Sequence, residues 1–185
     1  MIDLTKKDAK SRMEKAVDAV RQELSKIRTG KATPALLDGI NVDYYGSKTP
    51  LKQIANVSAP EARLLVVQPW EKNLIQEIEK EILKADMGLN PTNDGIVIRI
   101  PIPQLTEERR QSLVKLAKKV GEDGKISIRN IRRDANESLK KAEKSHEISE
   151  DNMHSAQDDV QKMTDDFTKT IDEILVNKEK EILEI

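Results

Sequence analysis

The stretch that decides the fold is PIPQLTEERR, residues 101–110. Two prolines one residue apart remove two amide donors and hold the chain extended. Neither a helix nor a strand ladder is expected to continue through Pro101 and Pro103. Thr106 then stands where a helix N-cap belongs, and Glu107 and Glu108 place negative charge in the first turn, which the positive end of a helix favours. An extended segment ends here and a long helix begins.

Downstream, Leu113, Leu116, Val120, Ile128, Ile131, Ala135, Leu139 and Ala142 keep one helical phase. The phase survives Gly121 and Gly124. That favours one helix over 106–144, about 58 Å long, with a soft middle, over a hairpin at the glycines. Each glycine costs about 1 kcal/mol relative to alanine in a helix. Ser149 can cap the next helix, whose stripe is Met153, Ala156, Val160, Met163, Phe167, Ile171, Ile174 and Ile182. Upstream, Ala9, Met13, Val17, Val20, Leu24 and Ile27 mark a third amphipathic helix over 3–28, stopped by Thr29-Gly30. Between them the pattern changes. INVDYY (40–45), IANVS (54–58), RLLVVQP (63–69) and IVIRI (96–100) read as short strands, TPALLDG as a helical turn, and 73–86 as one helix. A helix with one apolar stripe must bury it. Residues 1–29 and 106–185 are therefore expected to form a three-helix bundle, with 30–105 inserted as a small α+β domain. The two connectors, 29–31 and 101–105, act as a hinge at Thr29, Gly30, Pro101, Pro103, Gln104 and Leu105.

Composition agrees. Of 185 residues, 35% are charged and only 2% aromatic, which suits thin helix–helix seams better than one thick core. With no cysteine, disulfides and thiolate metal sites are excluded. No signal-like N-terminus or membrane-length apolar run is present, so a soluble, cytoplasmic protein is expected.

The net charge of -1 hides an asymmetry. Segment 106–145 carries 12 basic and 7 acidic residues, and 146–185 carries 4 and 12. On the long helix, Lys115, Lys118, Lys125, Arg129, Arg132, Arg133 and Lys140 lie within about 60° of Arg129. Glu122 and Glu143 interrupt this face without cancelling it. A solvated helix face is the bland reading. Against it, arginine is concentrated at the centre, where its planar fork suits phosphate. No base-stacking aromatics are interleaved, which points to a folded RNA backbone read by shape.

Chemistry-bearing motifs fail. TGKATP (29–34) lacks the earlier glycine of a phosphate loop, and Ala32 stands where a magnesium-binding hydroxyl is needed. The acid pairs at 158/159 and 165/166 read as a solvated or lysine-facing surface, and His146 and His154 have no identifiable catalytic partner. No enzyme activity, cofactor or metal is expected. A helical adaptor that binds proteins is the main rival reading.

IRTGKATPALLDGINVDYYG, GLNPTNDG, RIPIPQLTEERR, IRNIRRDANESLKK and ISEDNMHSAQDDVQKMTD, in this order, resemble ribosome recycling factor over essentially the whole chain. The resemblance implies an L shape, a three-helix bundle with an inserted βαβ-type domain. It implies action after termination between the subunits of the 70S ribosome. The bundle would lie on large-subunit rRNA, and elongation factor G would spend the GTP that splits the subunits and releases mRNA and tRNA. It assigns rRNA contacts to Arg110, Arg129, Arg132 and Arg133, and more weakly to Arg28 and Lys31. Arginine is frequent among relatives at the position of Lys31. A monomer is expected, with no membrane partner.

Overall fold

Residues 1–184 are described by the structure, a computed structural model; Ile185, assigned above to the bundle, lies outside them. The chain divides into two compact units, one of residues 1–28 and 107–184, the other of residues 29–106. These boundaries stand one residue from those read off the glycine and proline signals.

The first unit holds α1 (Ile2–Ser25), α3 (Glu107–Lys144) and α4 (Glu150–Leu183), and each packs against the other two. All six predicted positions of the first stripe, Ala9 to Ile27, are buried. The α1 helix ends earlier than expected. The Ile27 amide bonds to the Leu24 carbonyl, tightening the last turn.

α3 runs unbroken through both glycines, but its buried stripe is not the expected one. Leu116 is exposed and Val120 half-buried. Val114, Ala117, Gly121 and Gly124 take the seam. The glycines are close-approach positions and not a soft middle. A Cβ on Gly121 would overlap the Leu175 side chain of α4, and one on Gly124 would overlap Val20 of α1. In α4 the seam likewise shifts by one residue at two places. Thr164 and Leu175 are buried where Met163 and Ile174 were expected, and both expected residues are half-buried flanks. The Thr164 hydroxyl is satisfied by donating to the Val160 carbonyl at 2.8 Å.

The α3–α4 turn is set locally. His146 has φ 60, its amide bonds to Glu143 O, and the Glu147 amide bonds to Ala142 O. That is a Schellman ending with histidine at the left-handed position usually held by glycine. Ser149 then caps α4, its hydroxyl accepting from the Asn152 amide at 3.2 Å.

The second unit holds β1 (Asn41–Tyr44), β2 (Ser47–Pro50), β3 (Ala55–Glu61), β4 (Leu64–Pro69), α2 (Ile75–Lys84), β5 (Thr92–Asn93) and β6 (Ile98–Pro101). β1 and β2 form a hairpin, and the other strands form an antiparallel sheet in the order β3-β4-β6-β5. Strand, helix, strand is the chain order around α2, but every pairing is antiparallel. The core comprises the inward faces of these strands, including Val42, Leu65, Val67, Ile98 and Ile100, closed by Ile75, Ile78 and Ile82 of α2.

Two strands lay outside the sequence reading, β2 and β5. Both are short and polar, and neither buries a side chain. Four prolines sit within strands, Pro50 and Pro69 as the last residues of β2 and β4. Pro60 falls where the β3–β4 register shifts between Ser58 and Glu61. Pro101 pairs with Leu64, against the expectation that it would end the ladder, and the next amide, Ile102, bonds to Arg63 O at 2.8 Å. By alternation the prolyl nitrogen points away from β4, beyond the end of β5, where no donor is called for. In the connectors, Gly30 has φ 76, and a Cβ there would meet Leu105 Cγ at 3.0 Å.

Candidate nucleic-acid interface

The basic residues of α3 divide into rows with different partners. One row, Lys118, Lys125 and Arg132, leans toward α4. Lys118 faces Glu179 at 3.9 Å, Lys125 pairs with Asp172, and the Arg132 guanidinium donates to Gln161 Oε1 at 3.0 Å. The Gln161 amide in turn donates to Asp165 Oδ1 at 2.8 Å. Each seven-residue step up α3 meets a seven-residue step down α4, to 179, 172 and 165. Antiparallel helices in contact place such positions opposite each other. The acidic last helix thus occupies one edge of the basic face.

The second row points outward. Arg129 is half-exposed and donates to Glu122 Oε1 at 2.5 Å along its own helix. Lys115, Lys119, Arg133, Lys140 and Lys144 are exposed and have no ion-pair partner among the described residues. On the edge toward α1, Asp134 accepts from Arg12 at 2.7 Å, and this raises the already high Arg12 pKa. The free cations therefore lie along a strip bounded by paired charges on both sides. Exposed pairs of this kind contribute at most about 1 kcal/mol each to stability. Their larger consequence is that the outward cations keep their charge for an external anion.

The residues expected to bind RNA are not all alike. Arg129, Arg132 and Arg133 share one face at the middle of α3. Arg110 does not join them. It is half-buried, donates to the Leu183 carbonyl at 3.4 Å, and its Nε is buried without a partner. Its angular position, about 100° from Arg129, turns it into the seam near the end of α4. Arg28 is exposed just past α1, and Lys31 is exposed in the second unit. Lys119 and Lys144 were missed because they lie about 80° and 60° from Arg129, at or beyond the edge of the sector considered. The acids at 165, 172 and 179 recur every seven residues, but only the docking of α4 sets Glu179 and Asp172 opposite Lys118 and Lys125.

The remaining titratable clusters are structural. Lys6 pairs with Asp159 at 2.8 Å, and that contact raises the lysine pKa. Asp94 closes the β5–β6 turn by accepting from the Ile96 and Val97 amides, both at 2.9 Å, and from Arg99 at 2.8 Å. Trp70 is exposed.

Comparison with known proteins converges on one family. The family model described as "Ribosome recycling factor" matches residues 20–183. The ribosome-recycling factor of Halothermothrix orenii is 55% identical, with all of both chains covered. That of Natranaerobius thermophilus is 57% identical over 95% of this chain and 96% of its own. A solution structure of the ribosome recycling factor matches all of this chain and 98% of that one, with 41% identity and a TM-score of 0.75. A second solved chain covers 99% of both, with 44% identity and a TM-score of 0.64. It comes from models for the T. thermophilus ribosome recycling factor and the E. coli elongation factor G bound to the E. coli post-termination complex.

Proposed function

Because this chain belongs to the ribosome recycling factor family, we propose that it recycles ribosomes after termination by laying the outward cations of α3 on large-subunit rRNA. The observation that carries the reading is the strip of unpaired cations around Arg133, beside Arg129 and Arg132, on an unbroken helix whose neighbours hold the flanking charges. Fixed guanidinium groups suit a folded RNA backbone, and the absence of aromatics on this strip fits shape readout over base stacking. Arg28 and Lys31 are secondary contacts. Arg110 is placed at the margin, since part of its guanidinium is turned into the protein.

The protein is not an enzyme in this reading and carries no cofactor. GTP is spent by elongation factor G, which the solved assembly pairs with a relative on the post-termination complex. On this reading the site of action is the cytoplasm, where the ribosome is; among the described residues, no helix is long and apolar enough to cross a membrane. The chain acts as a monomer. The connectors at 29–31 and 101–105 let the two units reorient during splitting, and a cross-link between the units that leaves activity intact would remove that element.

The test is light scattering on purified post-termination ribosomes with this protein, elongation factor G and GTP. Splitting should need all three and should fall with Arg133→Ala while the bundle stays folded. Absence of ribosome binding even at low salt would return the chain to the adaptor reading.

A further inference from the structure

Few aromatic residues are available to this chain, and two of them are not used in its cores. Trp70, the only tryptophan, is 69% exposed, and Tyr45 is 78% exposed. Tyr45 sits with Gly46 at the tip of the β1–β2 hairpin, with φ 51 and 84. A two-residue turn with both φ positive favours asparagine or aspartate followed by glycine, so an aromatic residue at its first position is strained. Strain kept by a residue whose side chain is not buried motivates a search for what that side chain does.

The answer lies in what the ring touches. The Tyr45 hydroxyl donates to Glu71 Oε2 at 3.1 Å, and the Tyr44 hydroxyl donates to Oε1 at 3.0 Å. The two rings meet edge to face at 4.7 Å. One carboxylate is therefore gripped from both sides by phenols of a separate hairpin, next to the exposed indole of Trp70. Glu71, Tyr44 and Trp70 bound a groove of ≈ 440 Å³, the largest of the grooves described, whose walls also include Ile54 and Leu74, while Tyr45 holds Glu71 from outside the lining. Among the described residues, Glu71 is the only charged one lining it. Lys48 and Lys72 are near in sequence but do not line it.

We propose that this groove binds a cationic side chain, arginine or lysine, carried by an exposed segment of a protein partner. Aromatic ring faces and a carboxylate attract the same ligand charge, and a flat guanidinium can stack on the indole while it meets the acid. The phenols hold the carboxylate in place before the ligand arrives, so less ordering is left for binding. A nucleic-acid strand would also stack, but its phosphates would face an acid with no cation lining the groove. The groove lies wholly within the 29–106 unit, so the proposal stands apart from the rRNA face of α3.

Trp70, as the sole tryptophan, reports on the groove directly. The full chain is titrated with acetyl-Gly-Arg-Gly-amide, with its citrulline analogue as an uncharged isostere, and with oligouridylate. The arginine peptide should give a saturable change in tryptophan emission, with the citrulline peptide weaker by about fivefold or more. Glu71→Gln and Tyr45→Ala should each weaken it, and Glu71→Asp should restore part of the response. Gln53→Lys adds a positive charge to the groove lining without removing the Glu71–tyrosine bonds, and should abolish binding in a chain that keeps the hairpin. Equal response to arginine and citrulline, no saturable change with any peptide, indifference to Gln53→Lys, or tighter binding of oligouridylate would each overturn the proposal.

Discussion

Replacing Gly124 with alanine opposes two effects of known size. Helix propensity alone favours the change by about 1 kcal/mol. Packing opposes it. The new Cβ would overlap Val20 Cγ2 of α1 and lie 3.3 Å from Ile171 Cδ1 of α4. Val20 is 3% exposed and Ile171 fully buried. A β-branched residue on a helix has one strongly favoured χ1, so Val20 cannot swing aside, and α1 must move. Overpacking of this kind costs about 1–3 kcal/mol. The packing loss should therefore exceed the propensity gain, leaving a net destabilisation of about 1 kcal/mol, or roughly 4–8 °C in Tm for a unit of this size. The assay is urea unfolding followed by far-UV circular dichroism, with Trp70 emission as an internal control in the other unit. Val20→Ala in the same background removes the overlap. The double-mutant cycle should then show coupling of about 1–3 kcal/mol, each substitution relieving part of the other's cost. An alanine variant that is about 1 kcal/mol more stable than the parent, or a cycle with no coupling, would refute close approach as the reason for this glycine.

Other consequences are open to direct measurement. Arg133→Ala should lower the slope of log affinity against log salt for ribosome binding by about 1. Arg110→Ala should mainly lower bundle stability, because its side chain serves the end of α4; equal salt effects from the two would contradict the division into rows. His146→Gly should raise stability by about 1 kcal/mol, since the left-handed position then carries no Cβ penalty; thermal unfolding reads this, and a loss would mean that the imidazole makes an energetic contribution of its own. The Asp94 carboxyl is held well below the usual range, first by the Val97 amide, then by Arg99 and the Ile96 amide. Its stabilisation is thus present above the unfolded value near 3.8 and lost as pH falls below it. Denaturant midpoints read by Trp70 should drop between about pH 5 and pH 3, and drop less in Asp94→Asn, which starts less stable at neutral pH. Parallel curves for the two proteins would remove Asp94 from the acid response.

The elements differ in how far each could be read in advance. The stripe of α1 was legible position by position because six apolar residues repeat without interruption. The stripe of α3 was legible as a helix but not as a face. Leu116 and Val120 look like seam residues, yet the seam follows Ala117, Gly121 and Gly124, whose small size matters only when two other helices are near. β2 carries no strand signal of its own because Ser47-Lys48-Thr49-Pro50 has no apolar alternation, and its strand character comes from pairing with Asn41–Tyr44. The basic face was visible as an angular cluster. Its split into paired and free rows was not, because Lys125 meets Asp172 and Arg132 meets Gln161 only through the antiparallel docking of α4.

Periodicity, turn chemistry and the two connectors are local properties, written within a few residues of where they act. By themselves they determined that this chain is three long helices with a small α+β insertion, and that its cations concentrate on the second long helix. Tertiary structure decided which cations remain free, why two glycines sit in the middle of a helix, and that Trp70 and Tyr45 face outward around Glu71. Those outcomes depend on atoms brought together from positions 26 to 104 residues apart, as in Tyr45 with Glu71 and Val20 with Gly124. No local pattern carries that information, because docking distance and register are fixed by side chains on both partners at once.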